Sequence, residues 1–213
     1  MTSQAAVIPE PRSLTTSYPA YDIFGLTLAS DFPFVNRLMP SADLPDLVFT
    51  CTPEPLPLDG QDLGAPIYAT DASEEESSVY LYQLDGCNVL CFAGMADFYL
   101  WPGRIVCHLL DPAHEDLVEI RLLGPVLSLW LEQQGILALH ASAVLVEGQA
   151  VAFLSSNKGG KSALAAALMQ RGHSLLTDDI LPVEHGESAF FGRPSYPQMR
   201  MWPEEADPFL GPH

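Results

Sequence analysis

A chain of 213 residues can bury one large core or two small ones, and 48% apolar with only 17% charged residues marks a globular protein, not a disordered one. Its 27 acidic and 9 basic residues give a formal charge of −18, which repels polyanions and excludes nucleic acid and anionic membrane surfaces as general partners. Such a charge suits a basic or neutral partner, and it also favours solubility.

Residues 1–18 are polar and Pro-containing and predict a flexible tail. The opening MTSQAAVIPEPRSLTTS lacks the apolar h-region of a signal peptide. The four cysteines, Cys51, Cys87, Cys91 and Cys107, form no CxxC pair, so a cytoplasmic protein with reduced thiols is expected. Cys87 and Cys91 stand four apart, but no second ligand pair follows, which favours buried thiols over zinc. Residues 19–115 predict a β-rich domain. The runs YDIFGLTLA, DLVFTC, SVYLYQL, CNVLCFA and DFYLW read as short strands separated by Asp-Gly and Pro-rich breaks. The acidic stretch DASEEESS (71–78) reads as a solvated loop.

From residue 116 to 213 the pattern changes. Leu117, Ile120, Leu123, Leu127 and Trp130/Leu131 recur at helical spacing, with Gly124-Pro125 as a kink or split and Gly135 as a stop. ILALHASAVLVEGQAVAFL then predicts a β-hairpin. Its apolar run from Ile136 to Leu154 is nearly long enough to span a membrane, but His140, Glu147, Gly148 and Gln149 interrupt it. KSALAAALMQR predicts a helix with Gly172 at its C′ position, and HSLLT a strand that ends at Asp178-Asp179. The segment ILPVEHGESAFFGRPSYPQMRMW predicts two or three further strands around a His-Gly turn. The fold class expected is α/β.

The second half also holds the clearest chemical signal. The chain has two lysines, Lys158 and Lys161, and both fall in the octapeptide Ser155-Ser156-Asn157-Lys158-Gly159-Gly160-Lys161-Ser162. This matches the P-loop pattern GxxxxGK[ST] at every defined position except the first, where Ser155 replaces glycine. In such a loop consecutive backbone N–H groups form an anion cradle at a helix N-terminus. Lys161 is expected to reach the β- and γ-phosphates of ATP, and Ser162 to help hold Mg²⁺. A right-handed crossover through the helix predicts that HSLLT lies beside AVAFL in parallel, bringing Asp178 and Asp179 to the same sheet edge. One carboxylate can then hold metal and the other take a proton from an attacking hydroxyl.

Leu139 to Val183, LHASAVLVEGQAVAFLSSNKGGKSALAAALMQRGHSLLTDDILPV, resembles the catalytic core of the HPr kinase/phosphorylase family. That family has a histidine opening a strand, a hairpin, a P-loop, a helix ending in Arg-Gly-His and an aspartate pair, all found here in order. YDIFGLTLASDFP, LLGPVLSLWLEQQGILALHAS and RPSYPQMRMWP resemble a branch found in peptide natural-product clusters, lasso-peptide clusters included. Some members of that branch phosphorylate a serine of the precursor peptide. The resemblance implies a P-loop kinase core using ATP and Mg²⁺, with Lys161 and Ser162 on phosphate and metal and Asp179 as proton acceptor. It further implies that Asp178 assists or holds metal and that His140 stands close to the reacting phosphoryl group. A hydrogen-bonded strand histidine is the other reading of His140, and a helix C-terminus accounts for His173.

Members of the family continue into helices that form oligomer and protein-substrate contacts, so a C-terminally truncated core is expected, with a homo-oligomer as one outcome. A further metal-ligating acid is expected downstream, at Glu204 or Glu205. The acceptor is expected to be a peptide serine or a small-molecule hydroxyl. Two other readings stand beside the kinase: a nucleotide-binding pseudo-kinase or sensor without transfer activity, and a peptide-binding protein whose loop is vestigial.

Overall fold

The alternating runs of the first half pair into a nine-stranded sheet of order β3-β1-β2-β4-β9-β8-β7-β6-β5. The strands are β1 (Ala20–Ile23), β2 (Leu26–Ser30), β3 (Met39–Pro40), β4 (Leu47–Thr52), β5 (Tyr68–Thr70), β6 (Val79–Leu84), β7 (Cys87–Phe92), β8 (Ala96–Trp101) and β9 (Arg104–Leu109). The computed structural model describes residues 17–56, 62–70, 78–156, 158–196, 198–199, 201, 206 and 209. The expected tail (apart from residues 17–18), most of the acidic stretch 71–78, Asn157, Glu204 and Glu205 lie outside the described residues.

β5 to β9 form an antiparallel meander, whereas β4 pairs in parallel with both β2 and β9. Alternation puts Phe98, Leu100 and Ile105 in the interior, each at most 1% exposed. Cys87 and Cys91 share one face of β7, where Cys87 is buried and its thiol is pushed up to about 12 by that burial. Among the described residues no three His, Cys, Asp or Glu side chains gather as a metal-binding group.

The helical segment follows a 3₁₀ turn (Pro112–His114), capped by the Asp111 carboxylate accepting from the Ala113 N–H. It comprises α1 (Glu115–Arg121), a π-type stretch (Leu122–Val126) and α2 (Leu127–Gln133). The expected break is present: Gly124 has non-helical angles (φ −103°, ψ −111°) just before Pro125. It also resets the helical phase, which corrects one expectation. Ahead of the break Val118, Leu122 and Leu123 are buried while Ile120 is 42% exposed; beyond it Val126, Leu127 and Leu131 line the interior. At Gly135 (φ 79°) the helix ends in a Schellman motif, with Ile136 N–H donating to Leu131 O and Gly135 N–H to Glu132 O.

The second half forms a separate five-stranded sheet around β10 (Leu137–Val146), a ten-residue strand. β10 and β11 (Gln149–Leu154) form the expected hairpin, closed by Glu147 and Gly148 with φ 51° and 78°. Helix α3 (Lys161–Met169) follows and ends at Gly172, whose N–H donates to Met169 O while that of His173 reaches Leu168 O. β12 (Ser174–Thr177) and β13 (Ile180–His185) then pair antiparallel with β10, and β14 (Phe190–Gly192) with β13.

The expected adjacency of HSLLT and AVAFL is not found. β10 lies between β11 and β12, antiparallel to each, so those two run in parallel one strand apart. The tight hairpin gives β11 one edge of β10, and the returning chain pairs along the other edge.

The chain divides into two compact units. One takes the described residues of Met1–Tyr21, Thr27–Pro33 and Ser41–Leu122, the other those of Asp22–Leu26, Phe34–Pro40 and Leu123–His213. The molecule is thus mixed α/β and strand-rich, with two sheets. Among the described residues no helix is long and apolar enough to cross a membrane.

Candidate functional site

The site lies in the second unit, where the loop from β11 to α3 meets the break between β12 and β13. Successive side chains of a strand alternate, so His140 and Ser142 project from one face of β10, the face that Ser162 of α3 reaches.

The loop is closed by its own side chains. Lys158 and Gly160 hold left-handed backbone (φ 60° and 77°), and Gly160 serves as N-cap of α3 without a capping side chain. The first N–H groups of that helix therefore form the positive end of its dipole without a side-chain cap. Ser155 O and Ser156 O accept from the Lys161 ammonium at 3.2 and 3.4 Å; the residue is only 9% exposed, and such burial requires partners of this kind. Ser156 O also accepts from the Ser155 hydroxyl and the Gly159 N–H, both at 3.1 Å. A Cβ at Gly159 would stand 2.2 Å from Ser155 Oγ, so Ser155 is accommodated because residue 159 has no side chain.

Asp178 and Asp179 form the two-residue break between β12 and β13. The register against β10 runs on unchanged from Ala143↔Thr177 to His140↔Ile180, and Asp179 has φ 83°, a left-handed conformation uncommon outside glycine. The buried Thr177 hydroxyl donates to Ile180 O across the break, and Asp179 O accepts from the Ala141 N–H at 3.2 Å. Two consecutive strand residues would point to opposite faces. Here the left-handed residue turns both carboxylates toward the same face of β10.

The two acids have different surroundings. Asp178 is 7% exposed, and its Oδ1 accepts from Ser142 Oγ at 2.5 Å and from Ser162 Oγ at 2.9 Å. Asp179 is 35% exposed at its side chain and lies 3.0 Å from Nδ1 of His140, itself 53% exposed. Gly124 is close by: a Cβ there would be 3.8 Å from Asp179 Oδ2. The site thus has an enclosed half of hydroxyls and one carboxylate, and an open half of one carboxylate and one imidazole.

Of the residues singled out in the sequence, Lys161, Ser162, Asp178, Asp179 and His140 come together with the described loop residues Ser155, Ser156, Lys158, Gly159 and Gly160. His140 is bound to Asp179 and not isolated within its strand. Ser142, Thr177 and Gly124 were not anticipated. For Ser142 a signal existed: its two-residue spacing from His140 places it on the same face.

These groups fit a magnesium–triphosphate nucleotide. The helix N-terminus and Lys161 suit phosphate oxygens, and the Ser162–Asp178 pair supplies hard oxygen donors for the cation. Magnesium is commonly held by one or two carboxylates with waters and phosphates, so a cluster of three acids is not required. No family model, curated protein or solved structure matches the chain.

Proposed function

We propose that this protein is an ATP-dependent kinase with a core of HPr kinase type, which transfers the γ-phosphoryl group to a hydroxyl acceptor, with a precursor-peptide serine ranked first. The observation that carries the reading is the 2.9 Å hydrogen bond from Ser162 to Asp178, which ties the glycine-rich loop to the acidic break between β12 and β13. An ordinary strand-to-helix turn has no need of such a tie.

The residues divide the work by exposure. The loop from Ser155 to Gly160 and the N-terminus of α3 bind the phosphates, and Lys161 moves its ammonium from the loop carbonyls to the phosphate oxygens. Ser162 and Asp178 would hold magnesium, which would supply neutralisation of the charge on the transferring group. Asp179, on the open side, takes the proton of the acceptor hydroxyl. That oxygen bonds to the γ-phosphorus, the bond to the β,γ-bridging oxygen breaks, and ADP leaves. His140 orients the Asp179 carboxylate from the solvent side. The reading includes a cytoplasmic location, a peptide or small-molecule acceptor, no nucleic-acid or membrane partner, and self-association as a possible state.

A second reading, a nucleotide-binding module without transfer, is favoured by one observation: the Ser155 side chain occupies the space over Gly159 inside the loop. Calorimetry of Mg-ATP binding with Lys161→Ala as control tests the shared part of both readings. Binding lost in the variant supports the cradle; no binding by the unmodified chain overturns both. Radiolabel transfer from ATP to serine peptides, absent in Asp179→Asn, then separates kinase from binder.

A further inference from the structure

Ser142 sits where a strand would ordinarily bury an apolar side chain. It is wholly excluded from solvent, as are its neighbours Ala141 and Ala143, and a hydroxyl in such a place is costly unless it is hydrogen-bonded. Its hydrogen bond goes to Asp178 Oδ1 at 2.5 Å, the same oxygen that accepts from Ser162, and the two hydroxyl oxygens stand 3.5 Å apart. One carboxylate oxygen thus receives two donors, one from β10 and one from α3. Asp178 belongs to neither element; it lies in the break between β12 and β13, next to the left-handed Asp179.

We infer that Ser142 is a positioning residue for the divalent cation, an inference that rests on the kinase reading above. Charge-assisted hydrogen bonds to a carboxylate are short and directional, so the buried hydroxyl fixes the rotation of the Asp178 side chain. With Oδ1 held by Ser142, the Ser162 proton has a fixed acceptor, and the Ser162 lone pairs turn away from Asp178. The two residues then present a preformed set of oxygens to magnesium. Ser142 never touches the metal or the nucleotide. It governs how much magnesium the site needs, while the loop governs how well phosphate binds.

The test is a magnesium titration at fixed ATP on the full chain, reading the ATP-dependent rise in melting temperature. In Ser142→Ala the magnesium midpoint should rise by about tenfold or more, the usual effect of removing a group that orients a metal ligand. Ser142→Thr, which keeps the hydroxyl, should restore the unmodified midpoint. If Ser142→Ala does not melt cooperatively, Ser142→Cys replaces it, because a thiol of similar size is a weaker donor and should shift the midpoint in the same direction. A merely structural role would lower the melting temperature without moving the midpoint, and that result overturns the inference. A folded threonine variant that stays shifted overturns it too. An unmodified chain with no magnesium-dependent response overturns the kinase reading and this inference together, and that trace is read before any variant is made.

Discussion

His140 Nδ1 lies 3.0 Å from Oδ1 of Asp179 and 3.1 Å from the carbonyl oxygen of the same residue, so one ring nitrogen spans the side chain and backbone of Asp179. With Asp179 at φ 83°, this contact helps hold a carboxylate where ordinary strand geometry would turn it away. Asp179→Asn keeps a side chain that tolerates left-handed backbone but removes the carboxylate proposed to accept the proton. Phosphoryl transfer should fall by roughly 10²–10⁴-fold, as expected for loss of a general base, with Mg-ATP binding little changed. Asp179→Ala should in addition lose about 1–2 kcal/mol of stability for the left-handed conformation, measurable by urea unfolding.

Removing the Lys161 side chain takes away the ammonium bound to the loop carbonyls and leaves Ser155 O and Ser156 O without that donor. A hydrogen bond to a charged group contributes about 1.5–3 kcal/mol. Lys161→Ala should therefore weaken Mg-ATP binding by at least about tenfold, read by calorimetry.

Ser155 and Gly159 form a steric pair. In Gly159→Ala the new methyl would stand 2.2 Å from Ser155 Oγ, 2.7 Å from Ser155 Cβ and 2.9 Å from Ser156 O, so the loop must distort and nucleotide binding should be lost. Adding Ser155→Gly removes the first two contacts but not the backbone one. The double variant should recover binding in part, which a calorimetric double-mutant cycle would detect as non-additivity.

Arg193 beside Glu184 holds that carboxyl below its usual value of 4.5. Because the folded value is the lower one, the pair stabilises the fold above the unfolded pKa, and the contribution disappears as pH falls through the folded value. Glu184→Gln should therefore lose stability at neutral pH but not at acid pH. Urea unfolding at pH 7 and near pH 2 should show a smaller gap between the two conditions in the variant. The effect should be small, because Glu184 is largely exposed.

Phe98 is fully buried in the nine-stranded sheet and meets Phe92 edge to face, with ring centroids 5.7 Å apart. Phe98→Ala should cost about 3–5 kcal/mol, the range for emptying an aromatic core position. Chemical denaturation with a near-unchanged m-value would check it.

Local chemistry made many elements readable from sequence alone. The Glu147-Gly148 turn, the break at Gly124-Pro125 and the helix ends at Gly135 and Gly172 depend on backbone preferences of one or two residues, and each occurs where expected. The phosphate-loop pattern was legible for the same reason, since Gly159, Gly160, Lys161 and Ser162 lie together in the chain. Helix phase around the break was not, because periodicity assumes one continuous helix.

Tertiary structure alone decided how the site is assembled. Which edge of β10 receives β12 depends on which edge β11 already occupies, a competition between strands distant in sequence. That both carboxylates share a face depends on one left-handed aspartate, and an aspartate does not announce that conformation as a glycine would. Ser142 looks like any small strand residue until the pairing of the returning chain with β10 brings Asp178 against it. Short-range backbone and periodicity rules, readable in the amino-acid order, set the elements and the chemical groups. Long-range pairing decided which groups meet, because the partners are set by the remaining free edges and faces of a sheet that no local window contains.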